Sequence, residues 1–397
     1  MRKLKTLMYL SAVLFGILAI PGMILAGQFS DLDRNSMAGF KDAIKIQKKA
    51  HKIHNKILTI DTHLDTPLIM DIYPDFFGEE FDLSQRYQNA DFQGFVFRQV
   101  DFPRMKEGGL DAGFFVAFVS QEDRDAVGNQ AAIEEVLGLI DLIYEKVEAH
   151  PDLAEVVSAP KDAYRLQKES KRAIYIGIEN GYAIGNDLSM VKSYYDLGAR
   201  YMTLSHSSNN DICDSSTDPQ GPEHGGLSPF GEEVVAEMNR LGMMVDVSHI
   251  SDAAVWDVLA ITTAPIIASH SNARALYDHP RNLSDDLLNA IAENGGVVQV
   301  KLLYLSPNDP DTGERISTVS DVVDHIDHIV EVAGIDHVGI GSDFDGGGVV
   351  DGCEDVSKFE AITLELVKRG YNKNEIRKIW SENFMRVFRE VEDVAGR

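Results

Sequence analysis

A short stretch near residue 60, KILTIDTHLDTP, places three ionisable side chains directly after residues typical of a buried strand. Asp61, His63 and Asp65 occupy alternate positions, so in an extended chain their side chains lie on one face. Burying such groups is costly unless a partner compensates their charge. His63 and Asp65 are positioned to chelate one metal ion at the end of the strand.

The same pattern, an apolar run followed by a histidine or a carboxylate, occurs at five further places. The residues in question are Glu179, His206, His249, His270 and Asp343. Each one alone is typical of an ordinary polar residue or a turn. Together with His63 and Asp65, however, they form a set of imidazoles and carboxylates without thiolates, which is the ligand set of a zinc-type divalent ion.

The number of these residues predicts more than one ion, because a catalytic zinc needs only about three protein ligands. A carboxylate such as Glu179 can bridge two ions through its two oxygens. Two ions would hold a shared water, lower its pKa and place a hydroxide against a carbonyl group.

Eight apolar runs alternate with helical patterns and could bring these residues together. The runs are ILTID (57–61), AGFFVAFV (112–119), AIYIGIE (173–179), YMTLSH (201–206), MMVDVSH (243–249), PIIASH (265–270), GGVVQVKLL (295–303) and HVGIGSDF (337–344). Near-continuous apolar runs are typical of parallel strands buried on both faces. The helical patterns cover residues 131–149, 228–241, 251–261, 284–293 and 318–333.

This alternation predicts an α/β fold, a (β/α)₈ barrel of the TIM type, with a doubly wound open sheet as the alternative. Helices at about 37–56, 354–369 and 373–392 would be additions to the barrel at its N- and C-terminal ends. Catalytic groups of such barrels lie at the carboxyl ends of the strands, which is where six of the eight runs carry a histidine or a carboxylate.

The first 26 residues have the pattern of a signal peptide. Arg2, Lys3 and Lys5 precede a mostly apolar segment, and Ala26 follows Pro21 and Gly22. An uncleaved N-terminal membrane anchor is the alternative. Residues 27–397 would then form a single hydrolase domain that is exported. The periplasm is the preferred compartment, with inner-membrane anchoring or secretion as alternatives.

The charge of the chain excludes one class of function. The formal net charge is −26, and no basic stripe offsets it, so nucleic-acid binding is not expected. Removing residues 1–26 removes three basic residues and no acidic ones, which leaves 34 basic against 63 acidic residues and a net charge of −29.

Six motifs in order resemble those of the membrane dipeptidases of the renal type, which are zinc-dependent (β/α)₈ peptidases of the amidohydrolase-like group. They are DTHLD, GIENG, MTLSHSSNN, VDVSH, SHSNAR with PRN, and GSDFDG, and the resemblance runs from about residue 50 to 390. It implies a dipeptidase that hydrolyses small peptides with a metal-bridging hydroxide. A homodimer is a further suggestion of the resemblance.

The resemblance also implies a role for each residue. His63 and Asp65 would bind one zinc ion, His249 and His270 the second, and Glu179 would bridge the two ions. His206 would contact the substrate carbonyl, in protonated form, and Asp343 would shuttle the proton to the leaving amine. Arg281 would hold the terminal carboxylate of the substrate, with a surface ion pair to Asp278 or Asp285 as the alternative.

Other polar residues near these motifs receive structural roles. Asp61 is expected to make hydrogen bonds beneath the metal ions and to orient a ligand histidine. His224 is read as a loop residue, and Asp345 as a turn residue or a hydrogen-bonding partner of the site. His279 lies near the motifs without an assigned role. His325, His328 and His337 are expected to be surface or packing residues.

The two cysteines, Cys213 and Cys353, could form a disulfide in an oxidising compartment or remain as two free thiols. In the framework that the resemblance implies, both lie in loops on the active face, which favours a bridge between those loops.

Two other functions remain open. The same metal site could act on another amide or ester, such as an N-acyl amino acid or a lactone. A binding protein that has kept the barrel without catalysis is the third interpretation, which the presence of all expected ligands and Asp343 disfavours.

Overall fold

The computed structural model describes residues 32–92, 95–310, 313 and 317–397. The predicted signal peptide, residues 1–26, lies outside the described residues. No helix in the described part of the chain is both long and apolar enough to cross a membrane. The chain divides between Ile46 and Gln47 into two units, and the second carries all the strands.

Eight parallel strands form the barrel that the sequence predicts. They are β1 (Ile60–Leu64), β4 (Ala112–Phe118), β6 (Arg172–Glu179), β7 (Ala199–Thr203), β8 (Met244–Asp246), β9 (Ile267–Ala268), β10 (Val297–Val300) and β11 (Val338–Ile340). Their order around the barrel is β1-β4-β6-β7-β8-β9-β10-β11, and each pair of neighbours is parallel. The doubly wound alternative is therefore wrong.

The seam between β1 and β11 closes through loop residues just past the strands. The Asp65 amide donates to the Phe344 carbonyl (2.9 Å), and the Asp343 amide donates to the His63 carbonyl (3.1 Å). A single parallel bridge joins Leu64 and Phe344. The first and last strands therefore meet through the residues that carry the predicted site.

Three short strands were not predicted from the sequence. Strands β2 (Ala90–Phe92) and β3 (Phe95–Phe97) form an antiparallel pair, and β5 (Ala154–Val156) joins the barrel sheet beside β6. Three-residue strands are too short to give a periodic pattern. The first barrel strand also begins three residues later than the predicted run, at Ile60.

Helices connect most of the strands. They are α1 (Leu32–His54), α2 (Thr66–Phe77), α3 (Phe102–Gly108), α4 (Ala126–Glu148), α5 (Pro160–Glu169), α6 (Ser189–Asp196), α7 (Pro229–Leu241), α8 (Asp252–Ile261), α9 (Asp285–Glu293), α10 (Val319–Ala333), α11 (Glu360–Lys368), α12 (Lys373–Arg377) and α13 (Asn383–Val394). Short 3₁₀ turns cover Gly181–Ile184, Ile335–His337 and Val356–Lys358, and a π-helical turn, Lys378–Glu382, joins α12 to α13.

The predicted helix starts are confirmed at four places. The side chains of Ser228, Ser251, Ser284 and Thr318 each accept a hydrogen bond from a backbone amide in the first turn of α7, α8, α9 and α10, respectively. These bonds satisfy amides that have no partner within the helix, and each stabilises the helix by about 1 kcal/mol.

Aromatic side chains fill much of the core. Phe114 of β4 stacks on Tyr175 of β6, with the ring centres 5.0 Å apart, and the C-terminal helix α13 packs Phe384 against the same ring of Phe114 at 5.3 Å. Tyr201 of β7 fits beside β6 only because residue 177 is glycine, since a Cβ there would lie 2.3 Å from the Tyr201 ring. The core thus brings the Tyr201 hydroxyl beneath the end of β1.

The predicted disulfide between Cys213 and Cys353 is wrong. Both thiols are buried and free. The two residues follow β7 and β11, which are the fourth and eighth strands of an eight-stranded barrel and therefore lie on opposite sides of it. Each cysteine is instead held within its own loop, where its amide donates to Asn210 or to Val350. A bridge would need Cα atoms about 4.4–6.8 Å apart.

Candidate metal centre

The histidines and carboxylates predicted from six strand ends lie together at one end of the barrel. Three overlapping groups have ligand atoms within 4.8 Å of one another. They are His63 with His270 and Asp343, Glu179 with His206 and His249, and His63 with Asp65 and Glu179. The strands bring these residues together because the carboxyl ends of parallel strands all face the same end of a barrel.

The Glu179 carboxylate lies between two sets of imidazoles. Its Oε1 is 3.0 Å from His249 Nε2 and 3.5 Å from His270 Nε2. Its Oε2 is 3.5 Å from His63 Nε2, which is also 3.5 Å from Asp65 Oδ2. The two oxygens of one carboxylate therefore face two different ligand sets, which is the arrangement that a bridging ligand requires.

The hydrogen bonds of His63 leave its Nε2 available for a metal ion. The Tyr201 hydroxyl donates to the Thr62 carbonyl (3.0 Å) and lies 3.0 Å from His63 Nδ1. Because the hydroxyl proton is already committed, Nδ1 carries the ring proton and donates to Tyr201. Nε2 is buried without a hydrogen-bond partner among the described residues.

His270 is held in the same tautomer by a different pair of residues. Its Nδ1 lies 2.9 Å from Ser269 Oγ, which donates to Asp246 Oδ2 at 2.6 Å. The Ser269 hydroxyl therefore accepts the Nδ1 proton, and His270 Nε2 is left with a free lone pair. That nitrogen lies 2.8 Å from His249 Nε2. Two imidazole nitrogens at this distance share either a proton, which the Nε2 of a neutral His249 can donate, or a metal ion.

The electrostatics of the site favour cations beside the carboxylates. Burial lowers the pKa values of His249 and His270 well below the ordinary histidine value, with the charges of Arg281 and His63 adding to the effect, so both rings are neutral. Burial also raises the pKa of Asp65 to about 7. Despite its own burial, His63 has its pKa raised well above the ordinary value by the charges of Glu179 and Asp65. A metal ion at His63 Nε2 would take the place of the proton that these carboxylates attract, so the donor set fits divalent metal ions.

Asp61 supports the site through the backbone and does not touch a ligand ring. Its Oδ1 accepts hydrogen bonds from the amides of His63 (3.1 Å) and Ser342 (2.9 Å). Burial raises its pKa to about 6. The expectation of a hydrogen-bonding role beneath the site agrees with these bonds, but the atom that Asp61 orients is a backbone nitrogen and not an imidazole.

A cavity of about 590 Å³ opens beside the ligand groups. His206 lies on its wall, with Nε2 4.0 Å from Glu179 Oε1 and Nδ1 3.1 Å from Ser207 Oγ. Burial lowers the pKa of His206, against the opposing charge of Glu179. In the neutral ring, Nδ1 would accept a hydrogen bond from Ser207 and Nε2 would carry the only ring proton, directed at the cavity. His206 can therefore donate a hydrogen bond without carrying a positive charge.

Asp343 and Arg281 also line this cavity. Asp343 has a φ of 66°, a strained value for a residue with a side chain, and the Gly348 amide holds its carbonyl at 2.6 Å. Arg281 is buried, with Nη2 3.4 Å from the His270 carbonyl. Asp285, one proposed surface partner of Arg281, pairs with His328 at 2.7 Å.

The remaining polar residues have roles close to those expected. Asp345 accepts from the Gln99 amide and the Thr66 hydroxyl at a turn with φ 67°. His224 contacts the Asn210 carbonyl in its loop. His325 is buried and bonds to Ala273 and Leu305, His328 pairs with Asp285, and His337 bonds to Gly296.

Sequence reasoning missed four residues around the site: Tyr201, Asp246, Ser269 and Lys301. Asp246 carried a signal, because it lies three residues before His249 in VDVSH, whereas Asp61 lies two residues before His63 in IDTHLD. Ser269 directly precedes His270 in the motif SHSNAR, but nothing in the pattern shows that its hydroxyl contacts the ring. Tyr201 reaches the site through a contact between strands that are distant in sequence.

Comparison with known proteins gives one consistent result. The family model described as "Membrane dipeptidase (Peptidase family M19)" matches residues 47–397. Dipeptidase tcpJ of Claviceps purpurea (strain 20.1) is 36% identical over 80% of this chain and 74% of its own length, and Dipeptidase 3 of Mus musculus is 35% identical over 88% and 68%.

Solved structures agree with these matches. The probable dipeptidase PvdM from Pseudomonas aeruginosa superposes with a TM-score of 0.79 at 32% identity, covering 88% of this chain and 99% of its own. A metallo peptidase from Rhodobacter sphaeroides, liganded with a phosphinate mimic of the dipeptide L-Ala-D-Ala, gives a TM-score of 0.72 at 26% identity, covering 84% and 99%.

Proposed function

Because the chain belongs to the membrane dipeptidase family, peptidase family M19, and is thus a metallopeptidase of short peptides, we propose that it is a dinuclear zinc dipeptidase. His63 and Asp65 would hold one ion, His249 and His270 the other, and Glu179 would bridge them. When bound, the two ions would supply a hydroxide as the nucleophile and would polarise the scissile carbonyl.

The observation that carries this proposal is the position of Glu179. Its two oxygens face separate imidazoles, and the free Nε2 of His63 lies on one side while the close nitrogens of His249 and His270 lie on the other. Thiolate ligands are absent from the groups found in the described residues, so imidazole and carboxylate donors would select a zinc-type ion.

The remaining residues of the site would act directly on the substrate. The Nε2–H of neutral His206 would donate a hydrogen bond to the carbonyl oxygen as negative charge develops there. Asp343 would take up a proton at its carboxylate and deliver it to the leaving amine. The planar guanidinium of Arg281 would bind the C-terminal carboxylate, because its fork matches the two oxygens of a carboxylate.

The size of the cavity supports a dipeptide as the substrate. The cavity of about 590 Å³ is in the range of sites for small molecules. The Rhodobacter sphaeroides relative is liganded with a mimic of a dipeptide, and the fold of this chain superposes on it over 84% of the length.

Metal analysis and dipeptide hydrolysis test the proposal directly. We expect two zinc ions per chain and hydrolysis of unmodified dipeptides such as Ala-Ala, which a chelator abolishes and added zinc restores. Hydrolysis that is unaffected by complete removal of metal would refute the dinuclear mechanism.

Arg281→Ala separates a dipeptidase from an enzyme of neutral amides or lactones. If Arg281 binds the terminal carboxylate, the variant should lose about 10- to 100-fold in kcat/KM for dipeptides, with most of the loss in KM, because a buried charged hydrogen bond is removed. Dipeptide amides, which lack that carboxylate, should be cleaved by both proteins at similar rates. Equal losses for both substrates would favour a structural role.

We infer export of this enzyme from the pattern of residues 1–26, with the periplasm as the compartment and with attachment to the inner membrane by an uncleaved anchor, or secretion, as the alternatives. Fractionation of cells that produce the full chain, with N-terminal sequencing of the product, tests this inference. A product in the cytoplasm that retains Met1 would contradict it. The homodimer stays a prediction.

A further inference from the structure

Phe118 gives the substrate cavity an aromatic wall that the proposed mechanism does not use. It is the last residue of β4, the strand that lies between β1 and β6. Its register partner in this parallel pair is Glu179 at the end of β6, so the two side chains lie on the same face of the sheet. The Phe118 side chain is half-buried and lines the cavity beside the ligand groups.

Phe118 also contacts the residue that would bind the scissile carbonyl. The centre of its ring is 4.7 Å from the centre of the His206 ring, and the two planes meet edge-on at 65°. Leu68 lines the cavity as well, from the first turn of α2, where its amide donates to the Asp65 carbonyl at 3.0 Å. Because β1 and β4 are neighbours, Phe118 and Leu68 present two apolar side chains on one side of the cavity.

Arg281 lies on the opposite side of the barrel mouth. Its Nη2 is 3.4 Å from the carbonyl of His270, the second residue after β9. Three strands separate β9 from β4 in either direction around the eight-stranded barrel. A substrate with its α-carboxylate on Arg281 and its scissile carbonyl beside Glu179 would therefore direct its N-terminal residue towards β1 and β4.

We propose that Phe118 and Leu68 bind the side chain of the N-terminal residue, and that the preferred substrates are dipeptides whose N-terminal residue is large and apolar. Contact with an aromatic ring and a leucine side chain removes the apolar surface of such a residue from water. This inference rests on the proposed dipeptidase function, which it deepens by naming the substrate class.

Three dipeptides with the same C-terminal residue, Leu-Ala, Ala-Ala and Asn-Ala, test the preference. For the unmodified enzyme loaded with zinc, we expect kcat/KM for Leu-Ala to exceed that for Ala-Ala about tenfold or more, which is the factor that burying most of a leucine side chain supplies. The asparagine side chain has nearly the shape of leucine but is polar, so Asn-Ala should be cleaved no better than Ala-Ala. Equal kcat/KM for Leu-Ala and either of the other two would overturn the inference.

Phe118→Ala should reduce the ratio of kcat/KM for Leu-Ala to that for Ala-Ala to less than about threefold. This variant also removes a contact of His206, but that effect is common to both substrates and cancels in the ratio. The ratio of Ala-Leu to Ala-Ala should stay unchanged, because the large side chain of Ala-Leu is C-terminal and lies on the side of Arg281. A loss for Ala-Leu in place of Leu-Ala would overturn the inference.

Leu303→Ala is the matched control, because Leu303 is another half-buried apolar side chain of the same cavity. It follows β10, which neighbours β9 and not β4, so the variant should keep the full preference for Leu-Ala. Phe118→Leu keeps an apolar side chain and should retain most of the preference. Where Phe118→Ala fails to fold, as judged by circular dichroism and thermal melting, Leu68→Ala replaces it and should lower the same ratio about threefold.

The failure of this inference can be distinguished from the failure of the proposed function. A full preference for Leu-Ala that survives in the folded variants Phe118→Ala and Leu68→Ala would overturn the inference but leave a dipeptidase. Cleavage of none of the dipeptides by the zinc-loaded enzyme would refute the proposed function itself.

Discussion

Replacing Ser269 with alanine should weaken one of the two proposed zinc sites while the barrel stays folded. Ser269 Oγ accepts the Nδ1 proton of His270 (2.9 Å) and donates to Asp246 Oδ2 (2.6 Å). The variant leaves His270 Nδ1 without this acceptor, so the ring is no longer held with its Nε2 lone pair directed at the ion. Asp246 keeps three other donors, the Thr203 hydroxyl and the amides of Ser248 and Ser269.

The expected size of the effect follows from the position of Ser269 behind a ligand. Losing a partner that orients a metal-binding histidine lowers metal affinity by about 10- to 100-fold, which corresponds to about 1.4–2.8 kcal/mol. The loss should fall mainly on one ion. His63 Nδ1 lies closer to Tyr201 (3.0 Å) than to Ser269 (3.4 Å), so its orientation does not depend on the serine.

Asp246→Asn should also lower zinc affinity, because it reverses the direction of the hydrogen bond between Ser269 and His270. An asparagine would still accept the two backbone amides at its oxygen, but its NH₂ group would then face Ser269 Oγ. The serine would accept from that NH₂ and turn its own proton towards His270 Nδ1. This would shift the ring proton to Nε2, where it blocks the metal ion.

Zinc affinity measured by competition with a chromophoric chelator, together with metal content per chain, tests both variants independently of activity. Ser271→Ala is the matched control, since it is a buried serine whose hydroxyl contacts Ser248 and no ligand ring. The reasoning is refuted if both ions bind Ser269→Ala and Asp246→Asn as tightly as the unmodified protein. It is also refuted if Ser271→Ala weakens zinc equally, because the effect would then be a general one of packing.

Three further predictions concern other contacts. Gly346→Ala should lower kcat about 100-fold, because the added Cβ would lie 1.9 Å from Asp65 Oδ2 and 2.6 Å from Asp343 Oδ1 and would displace both carboxylates. Near-normal turnover of this variant would contradict the tight packing around Gly346. Asp61→Ala should lower the free energy of unfolding, measured in urea, by about 2–6 kcal/mol, because it leaves two buried amides without an acceptor. Asp61→Asn keeps an acceptor oxygen, so its free energy of unfolding should fall less. Burial lowers the pKa of His54 below 6.5, so the native state binds fewer protons than the unfolded chain. Stability should therefore fall as the pH drops below about 6.5, by at most about 1.4 kcal/mol per pH unit, and His54→Gln should reduce that slope; an unchanged slope would exclude His54 as its source.

The barrel could be predicted because its strands are buried on both faces and are therefore continuous apolar runs. The ends of these runs gave the residues of the site, since a histidine or carboxylate after an apolar strand stands out from its surroundings. The strands β2, β3 and β5 could not be predicted, because three residues of mixed polarity carry no period. The disulfide failed for a different reason. Both cysteines follow strands at the same end of the barrel, but β7 and β11 are four strands apart around its circumference, so the two loops lie on opposite sides.

The support of the site was harder to predict than the site itself. Tyr201 reaches His63 because Gly177 makes room for its ring, and this contact spans more than a hundred residues of sequence. Lys301 lay within a predicted strand, GGVVQVKLL, where a long side chain could point inwards or outwards. Its burial against Tyr304 depends on a strained turn that no local pattern indicates.

The two buried aspartates, Asp61 and Asp246, are built into the barrel in the same way. Each accepts at Oδ1 from the amide two residues further along its own strand and from an amide at the end of a neighbouring strand, Ser342 or Ser269. These are the two places where strand pairing is weakest.

Strands β8 and β9 pair through the single register Asp246–Ile267, and β1 and β11 meet only through a bridge beyond the strand ends among the described residues. Strands that separate at the mouth of a barrel make room for ligands but leave backbone amides without partners, and a buried unpaired amide costs about 1–3 kcal/mol. At both seams a carboxylate oxygen takes the place of the missing carbonyl. The same two seams carry His63 with Asp343 and His249 with His270, so the aspartates hold the backbone in place where most of the proposed ligands lie.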